Sequence, residues 1–460
     1  MKRSIYRSEA EPSWDNVLVL QTSFLGDTVL TVPLIAELKR RFPVKKLTVL
    51  CQPASRELLL DHPAIDEIIV DDKNQSDRGV RGLRVKAAVL RAKRFTVALT
   101  PHKSLRSALL LYLAEIPCRV GFRQSRGWFL FHHRVERDPR RHDVERNLSI
   151  LQAFGVRIEE CHRALDLPVN ATVQDTVNQK LRALGISEAH KVVGINPGSV
   201  WSTKRWSSAG FAELIALLKK EFACQVLLFG GPEDAAVVED VQRRCGAAAI
   251  NLVGQVSLRE LAAAISRCTV FVSNDSAPMH VAVARRVPTV AIFCATTPEL
   301  GFFPYTFDAI VIGRGISCRP CAAHGGRRCP LGGAECIHEI GALGVFECVR
   351  KLLSAKQRSA PSARRSFEPD RVTICNLSSN RERSPHHGCG EPPITACGSK
   401  NWRGAQFPTA LKGLSMPEAV GWLSAKTKRR ILIFPYAEMI QMPLPTPVVI
   451  RDAASCSRLS

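Results

Sequence analysis

The sequence predicts an α/β protein built from two doubly wound domains, and three observations lead to this fold class. The first is length, because 460 residues exceed the size at which a single hydrophobic core keeps growing. The second is an alternation of short β-branched runs with longer amphipathic stretches, which is typical of parallel sheets covered by helices. The third is that this alternation occurs twice along the chain.

The first series of predicted strands begins near residue 16 and the second near residue 192. A charged, proline-containing segment, 158–190, separates them, so we predict domains over residues 16–170 and 171–355. The first series has predicted strands at Val17–Leu20, Leu47–Cys51, Ile68–Val70 and Val97–Thr100, with predicted helices at Thr28–Arg41 and Ser104–Ala114. The second series has predicted strands at Val192–Asn196, Val226–Phe229, Thr269–Ser273 and Thr289–Phe293.

Residues 356–460 differ in character from both series. Ser, Pro, Arg and Gly dominate there and hydrophobic periodicity disappears, so we predict a disordered tail. Apolar stretches at Ile431–Tyr436 and Thr446–Ile450 leave room for a small additional element.

The composition bears on where the protein acts and on what it attracts. No uninterrupted apolar run approaches the roughly 18 residues that a membrane-spanning helix requires. The charged N-terminus leads into an apolar run of only four residues, too short for a signal peptide, so we expect a cytoplasmic protein. Most of the 16 cysteines stand singly in apolar runs, as buried reduced thiols do. A net charge of +22 attracts nucleic acid, anionic lipid and phosphorylated substrates alike.

The first predicted strand leads into the turn Phe24-Leu25-Gly26-Asp27. Ligands of open α/β sheets bind at the carboxyl ends of the strands, so Asp27 is expected to face a ligand or solvent. Capping of the following helix is the alternative, and for an isolated aspartate it is the more common role. The turn contains no G-x-G-x-x-G pattern, which argues against an ordinary dinucleotide site.

Two loops of the second series carry polar groups that suit a nucleotide. The segment Asn196–Ser199 continues into a hydroxyl-rich loop that contains Lys204, where an ammonium group and backbone amides can bind a diphosphate. A solvated lysine in an exposed loop is the alternative. Glu233 and Asp234 follow the next strand, where they can accept hydrogen bonds from ribose hydroxyls or cap a helix.

The segment Val272–His280 predicts a strand that runs into the N-terminus of a helix, where free backbone amides form an anion site. Asp275 can bind sugar hydroxyls, while Ser276 and the amides after it face phosphate. His280 lies one turn further and points to the same opening, although a single histidine in such a place is more often structural.

Four segments, in their order and spacing, resemble the ADP-heptose:lipopolysaccharide heptosyltransferases. They are Phe24–Asp27, Asn196–Gly198 with Lys204–Trp206, Phe229–Gly231 and Asn274–His280. The resemblance extends from about residue 16 to residue 355 and includes Pro101–Leu109 and Ile116–Phe122. It implies a GT-B fold, in which two Rossmann-like domains face each other across a cleft, with the acceptor on the N-terminal side and ADP-heptose on the C-terminal side. Local similarity favours type II, which transfers heptose to a heptose of the lipopolysaccharide inner core. Types I and III, and another nucleotide-sugar transferase of the same architecture, are the alternatives.

The resemblance also implies roles for individual residues. Asp27 would be the general base that activates an acceptor hydroxyl, giving inversion at the sugar. Donor-binding residues would be Ser199 and Lys204 at the diphosphate, Glu233 at the ribose, and Asp275, Ser276, Ala277, Met279 and His280 at the heptose and phosphate. Acceptor-binding residues would be Lys103, Arg106 and Arg123. Ala277 departs from the family, which has glycine there, and its methyl group is expected to weaken phosphate binding modestly.

No cofactor is expected, because the sequence contains no D-x-D motif, the usual carboxylate arrangement for a divalent ion in metal-dependent sugar transferases. Lys204 and the helix N-terminus would replace the cation. A noncatalytic nucleotide-sugar-binding module is the alternative from another class, since it would keep Lys204 and Asp275 but would not need Asp27.

Arginines and histidines concentrate between Arg119 and His142, within the acceptor-side domain. This basic surface suits a phosphorylated lipopolysaccharide core and peripheral contact with the inner face of the inner membrane. Nucleic acid is not expected as a partner, because no helix-turn-helix, zinc-finger or aromatic RNA-binding signature is present.

One segment near the end of the second series is rich in cysteine. It contains Cys318, Cys321, Cys329 and Cys336, with His324 nearby. Four thiolates can hold a structural zinc ion, but the intervals are irregular, so reduced loop thiols and an occasional disulfide remain open alternatives.

Overall fold

The computed structural model describes residues 12–355 and 373–377, and its strands form two separate sheets. One sheet has six strands and the other has seven. In both sheets every pair of neighbouring strands is parallel. Two Rossmann-like domains of this kind confirm the predicted fold class.

The N-terminal sheet is built from six strands: β1 (Asn16–Gln21), β2 (Lys46–Cys51), β3 (Glu67–Val70), β4 (Val97–Thr100), β5 (Cys118–Phe122) and β6 (His133–Val135). Its helices are α1 (Leu25–Val29), α2 (Val32–Arg41), α3 (Pro53–Leu59), α4 (Gly79–Ala92), α5 (Leu105–Leu113) and α6 (Asp143–Leu148). The strand order is β3-β2-β1-β4-β5-β6. Strands β1, β2 and β4 are almost wholly buried because helices cover both faces of the sheet, which explains their continuous apolar sequence.

The C-terminal sheet has the strands β7 (Lys191–Asn196), β8 (Cys224–Leu228), β9 (Ile250–Asn251), β10 (Val270–Asn274), β11 (Thr289–Phe293), β12 (Ala309–Arg314) and β13 (Thr373–Leu377). The helices of this half are α7 (Ala171–Ala183), α8 (Ser208–Glu221), α9 (Ala235–Cys245), α10 (Leu258–Ser266), α11 (Ala277–Ala284), α12 (Glu335–His338) and α13 (Ala342–Ala355). The strand order is β13-β12-β11-β10-β7-β8-β9.

The predicted helix Thr28–Arg41 is in fact two helices, α1 and α2. Pro33 is the second residue of α2 and has no N–H to continue the hydrogen-bond ladder of α1. The hydroxyl of Thr31 donates instead to the carbonyl of Asp27 at 2.7 Å. The break sets α1 apart as a short separate helix that carries Asp27.

Strand β13 corrects the prediction of disorder for part of the segment 356–460. Its residues pair in parallel with β12, from Ile310 opposite Thr373 to Arg314 opposite Leu377. The β-branched residues Thr373 and Ile374 suit a sheet, and Cys375 packs against the core of the C-terminal domain. The apolar stretches after residue 430 lie outside the described residues.

Each domain has a point where the strand order reverses. The chain leaves β1 for β2 and β3, and it later returns to the other side of β1 as β4; β7, β8, β9 and β10 repeat this pattern. Such reversals open a crevice at the carboxyl ends of the strands, where ligands bind in α/β proteins. Within the two described stretches of the chain, no helix combines the length and apolar character needed to span a bilayer.

Candidate active site

A cavity of about 570 Å³ lies between the two domains at the carboxyl ends of their strands. The N-terminal domain lines it with residues of the β1–α1 turn and of α3, namely Phe24, Leu25, Gly26, Asp27 and Ala54. The C-terminal domain contributes loops that follow β7, β8 and β10, including Ser199, Lys204, Glu233, Asp275, Ser276, Ala277 and His280. The structure therefore brings the predicted base and seven of the eight predicted donor residues to one cavity.

Asp27 is the third residue of α1, and its carboxylate is held by its own turn. The hydroxyl of Ser23 donates to Oδ2 at 2.5 Å, and the backbone N–H of Phe24 donates to the same oxygen at 3.2 Å. Asp27 therefore caps its helix, as the alternative interpretation required, while it also lines the cavity. The two roles are compatible because capping engages only one of the two carboxylate oxygens.

The surroundings of Asp27 raise its pKa to about 6, chiefly through burial and then through the nearby negative charge of Asp143. The hydrogen bonds from Ser23 and Phe24 and the positive charge of Arg137 act in the opposite direction. A carboxyl group with a pKa near 6 is ionised at neutral pH and is a stronger base than an ordinary aspartate.

A buried charged cluster beside Asp27 was not recognised from the sequence. Asp143, at the start of α6, forms an ion pair with Arg137 at 2.5 Å and with Arg146 at 3.4 Å. Arg146 also donates to the carbonyl of Leu300 in the C-terminal domain at 2.9 Å. The sequence pattern showed only a basic run there, because nothing in it indicates which arginines turn inward.

Lys204 and Asp275, predicted to contact the donor separately, form one buried unit. Nζ of Lys204 lies 2.7 Å from Oδ2 of Asp275, and Thr296 donates to the same oxygen at 2.7 Å. Gly325 packs over the methylene groups of Lys204, because an added Cβ there would lie 2.8 Å from Cγ. Asp275 thus fixes the position of the ammonium group in the cavity.

The two carboxylates of the loop after β8 have different surroundings. Asp234 is buried against Gly198, where an added Cβ would lie 2.1 Å from its carboxyl carbon, and it accepts the N–H of Gly231 at 3.3 Å. Burial raises the pKa of Asp234. Glu233 is exposed at the cavity wall. Both carboxylates line the cavity, and of the two only Glu233 is exposed.

Helix α11 begins at the cavity with Ser276 as its N-cap residue, and Asn196 donates to the Ser276 hydroxyl at 3.2 Å. His280 is buried, and its Nδ1 has no hydrogen-bond partner among the described residues. Burial lowers the pKa of His280 to about 4, so its imidazole is neutral at neutral pH. Met279 requires a correction, since its side chain faces away from the cavity into a core cluster with Phe293.

Helices α1 and α11 approach each other closely across the domain boundary. A Cβ added to Gly26 would lie 3.3 Å from Cδ2 of His280 and 3.6 Å from Cα of Ala277. Glycine at this position therefore lets Asp27 lie close to the N-terminus of α11.

The predicted acceptor residues do not line the cavity formed by the described residues. Arg106 is engaged elsewhere, because its guanidinium donates to Asp71 at 2.8 Å and to the carbonyl of Asp77 at 3.0 Å. Arg123 is exposed and lies 3.6 Å from Glu136. Lys103 is also exposed, but the charges of Arg137 and Asp143 act on it, so it lies near the Asp27 end of the cavity.

Aromatic side chains at the cavity were also missed from the sequence. Phe24, Phe302 and His324 all line the cavity, and they come from three separate segments. The ring of His324 lies 6.3 Å from that of Phe24 and 6.4 Å from that of Phe302. Together they form an apolar wall with which the face of a sugar ring can pack.

The four clustered cysteines are all free thiols in the structure. Within residues 12–355 and 373–377, no group of three or more His, Cys, Asp or Glu side chains is arranged to hold a metal ion. The thiol of Cys321 donates to the carbonyl of Cys318 at 3.4 Å. A structural zinc ion stays a prediction from the sequence, to be checked by metal analysis of the purified protein before and after chelation.

Known proteins are similar to this chain in sequence and in architecture. A family model described as glycosyltransferase family 9 (heptosyltransferase) matches residues 84–330. Lipopolysaccharide heptosyltransferase 2 of Salmonella typhimurium is 29% identical over 300 residues, which cover 62% of this chain and 84% of that protein. Lipopolysaccharide heptosyltransferase 3 of Escherichia coli K12 is 29% identical over 353 residues, which cover 75% of this chain and 98% of that protein. The solved structure of E. coli ADP-heptose lipopolysaccharide heptosyltransferase II superposes with a TM-score of 0.62 at 25% identity, covering 74% of this chain and 99% of that one. Since the family model spans more than half of the sequence, this chain belongs to glycosyltransferase family 9, the heptosyltransferases.

Proposed function

We propose that this protein transfers heptose from ADP-heptose to a heptose of the lipopolysaccharide inner core, with inversion, as a type II heptosyltransferase. One observation carries the proposal: a single cavity is lined by an aspartate with a raised pKa from one domain and by a lysine and a helix N-terminus from the other. Acid–base and anion-binding groups that face each other in this way suit displacement of a nucleoside diphosphate by a hydroxyl group.

The proposed donor site uses Lys204 and the N-terminus of α11 to bind the diphosphate of ADP-heptose. The ammonium group is held at 2.7 Å from Asp275, and the amides after Ser276 face the cavity with the positive end of the helix dipole. Glu233, which is exposed at the cavity wall, would accept hydrogen bonds from the ribose hydroxyls.

In the proposed reaction, Asp27 takes the proton from an acceptor hydroxyl while that oxygen forms a bond to the anomeric carbon of the donor. The bond from the anomeric carbon to the β-phosphate oxygen breaks at the same time, and its electron pair leaves with ADP. Attack from the face opposite to ADP inverts the anomeric centre. Negative charge that develops on the leaving diphosphate is stabilised by Lys204 and α11.

Transfer without a divalent ion is part of this proposal. The supporting observation is that the positive groups at the cavity belong to the protein itself, namely Lys204 and the backbone amides of α11. We expect full activity in the presence of a chelator. Loss of activity with EDTA and recovery with a divalent ion would contradict this part of the proposal.

The identity of the acceptor is tested directly by incubating the protein with ADP-heptose and one of three lipopolysaccharide core acceptors. These acceptors carry no heptose, one heptose or two heptoses. Product from the one-heptose acceptor alone is the expected result. Type III is the second candidate, because the E. coli relative named heptosyltransferase 3 matches over 98% of its length. Product from the two-heptose acceptor alone would favour that candidate, product from the acceptor without heptose would favour type I, and no product with any acceptor would favour a noncatalytic binding module.

The proposed acceptor is a lipid-anchored saccharide, so the proposed site of action is the cytoplasmic face of the inner membrane, with the protein in peripheral contact. Nucleic acid has no part in the proposal. The basic run between Arg119 and His142 supports an anionic partner of either the saccharide or the lipid kind.

A further inference from the structure

The outer surface of the N-terminal domain exposes aromatic side chains that no described element covers. Trp128 and Phe129 lie in a helical turn between β5 and β6 and are 45% and 57% exposed, with their ring centroids 6.1 Å apart. Leu105 and Tyr112, at the two ends of α5, are also exposed. The turn packs against α5, because a Cβ added to Gly127 would lie 2.3 Å from Cβ of Ala108.

Arginines accompany these rings. The guanidinium of Arg119 lies 5.4 Å from the ring centroid of Tyr112, and that of Arg134 lies 4.9 Å from Trp128. Arg119 also donates to the carbonyl of Leu130 at 2.8 Å, so it connects the end of α5 to the turn. We call the surface formed by Leu105, Tyr112, Arg119, Trp128, Phe129 and Arg134 the aromatic-basic patch.

Helix α4 packs beside α5 and extends this character. Its exposed residues include Val80, Val85 and Val89 together with Arg81 and Arg84. The segment 78–135, which contains α4, α5 and the turn, has 13 Lys and Arg residues against one acidic residue, Glu115. Apolar and cationic side chains therefore share these neighbouring helices. Five of the cations form ion pairs with acidic side chains, namely Lys86, Arg91, Lys93, Arg106 and Arg123.

An exposed set of aromatic and aliphatic side chains interleaved with arginine fits the interface of an anionic membrane. Tryptophan and arginine both combine an apolar or planar body with a polar part, and such side chains favour the level of the lipid headgroups. Cationic residues are attracted to anionic headgroups, and each contributes about 1 kcal/mol near such a surface. The apolar residues are exposed on α4, α5 and the turn, which suits contact with a bilayer.

We propose that the aromatic-basic patch docks this protein on an anionic phospholipid bilayer, with Trp128 and Phe129 inserted at the headgroup level. The inference extends the proposed function and rests on it, because docking is useful to an enzyme whose acceptor is anchored in a membrane. Docking would bring the acceptor side of the cavity to the membrane. The N–H of Arg126 donates to the carbonyl of Lys103 at 3.1 Å, and the neighbouring His102 ring lies 3.3 Å from the hydroxyl of Thr22, next to the turn that holds Asp27.

The test is cosedimentation of the full chain with two kinds of vesicle at about equal lipid concentrations. One kind contains phosphatidylethanolamine and phosphatidylglycerol in a ratio of about 3:1, and the other contains phosphatidylcholine alone. We expect binding to the anionic vesicles that weakens with salt and little binding to phosphatidylcholine. The double variant Trp128→Ala/Phe129→Ala should bind the anionic vesicles about tenfold more weakly. The matched control is Leu331→Ala/Leu343→Ala, which removes two exposed apolar side chains from the C-terminal domain and should bind like the wild type.

Heptose transfer to a delipidated, water-soluble core saccharide separates this inference from the proposed function. The double variant should retain that activity, because neither side chain lines the cavity. Loss of vesicle binding with retained transfer supports docking. If the wild type binds anionic vesicles but has no transferase activity, the proposed function is contradicted and the docking proposal is not.

Three results would overturn the docking proposal: wild-type affinity of a folded double variant for anionic vesicles, equal binding of the wild type to phosphatidylcholine, or a nucleic-acid mobility shift without vesicle binding. If the double variant does not fold, quenching of tryptophan fluorescence by brominated phospholipid in anionic vesicles replaces it. The conservative variant Trp128→Phe should then lose a quenched component that the wild type has, and unchanged quenching would also overturn the proposal.

Discussion

At the scale of single residues, Asp27 combines a structural and a proposed catalytic role. One oxygen of its carboxylate accepts from Ser23 and from the N–H of Phe24, so the side chain is oriented before any substrate binds. Burial and the charge of Asp143 raise its pKa to about 6. An oriented carboxylate with this pKa is deprotonated at neutral pH and still accepts a proton readily.

The first prediction concerns Asp27→Asn. We expect transfer to fall by about 10³-fold or more, because general base catalysis is lost, while affinity for ADP stays within about twofold. In the wild type, kcat/KM should fall as the pH drops through about 6, since protonation of Asp27 removes the base. The measurements are initial rates between pH 5 and pH 8 and calorimetric titration with ADP, at pH values chosen around this pKa.

The control for that prediction is Asp240→Asn, which makes the same change on α9, where the carboxylate forms ion pairs with Arg243 and Arg244. It should retain activity and the same pH profile. Near-normal transfer by Asp27→Asn would remove this residue from the mechanism.

The second prediction separates two contributions of Lys204. Lys204→Met leaves Asp275 as an unpaired buried charge, which costs about 3–5 kcal/mol of stability. It also removes the proposed diphosphate contact. The double variant Lys204→Met/Asp275→Asn should recover much of the stability, measured by thermal unfolding, but not the affinity for ADP.

Lys220→Met, at an exposed position of α8, is the control and should change neither quantity. If the double variant binds ADP as tightly as the wild type, Lys204 acts only through the fold of the site.

At the scale of secondary structure elements, the contact of α1 with α11 joins the two halves of the site. One helix carries the proposed base, and the other begins at the proposed diphosphate site. Their separation is set where Gly26 lies against the ring of His280, since Gly26 has no side chain to hold the two helices further apart. Small changes in this contact should therefore alter the distance between the two reacting groups.

The third prediction concerns Gly26→Ala. The added Cβ would lie 3.3 Å from Cδ2 of His280, so one helix must move by a few tenths of an ångström. We expect kcat/KM to fall by about tenfold, because a misplaced reacting group costs far more in rate than in stability. The measurement pairs kinetics with thermal unfolding.

Gly315→Ala is the matched control for this change, because its added Cβ meets nothing within 4 Å. A Gly26→Ala protein with wild-type kinetics would show that the spacing of α1 and α11 is not critical.

At the scale of the whole molecule, contacts outside the cavity hold the two domains together. Asp61, just after α3, forms an ion pair with Arg259 of α10 at 2.6 Å. Both helices also line the cavity, through Ala54 and Leu258. A second contact joins α6 to the C-terminal domain, where Arg146 donates to the carbonyl of Leu300.

The fourth prediction is that Arg259→Gln raises KM for ADP-heptose by about two- to fivefold with little change in kcat. The reason is that a partly exposed ion pair contributes about 0.2–1 kcal/mol, here to the contact between α3 and α10, which both line the cavity. Raising the salt concentration should reduce the difference between the variant and the wild type.

Arg244→Gln breaks an ion pair within one domain, that with Asp240, and should leave KM unchanged. Equal kinetic effects of the two variants would mean that the Arg259 pair has no special part in holding the two sides of the cavity together.

Much of this architecture follows from local sequence. Buried parallel strands are predictable because they are apolar on both faces, and the loops after them carry the polar groups of the site. Weaker strands such as β6 lack that signal. The partners of Arg106, the inward turn of Arg137 and the orientation of Met279 depend on tertiary packing, which periodicity does not record. Asp27 illustrates the limit: its position was predictable, but the charge of Asp143 that acts on it comes from a distant segment.

The hydrogen bonds that attach α6 to the C-terminal domain have a consequence for biosynthesis. His142 bonds to the carbonyl of Phe303 and Arg146 to that of Leu300, across 161 and 154 residues of chain. At about 5–20 residues per second, a ribosome needs on the order of 10–30 s to supply those partners after α6 is made. Throughout that interval α6 of the nascent N-terminal domain lacks its final neighbours, so the contacts between the two domains at this helix form only late in translation.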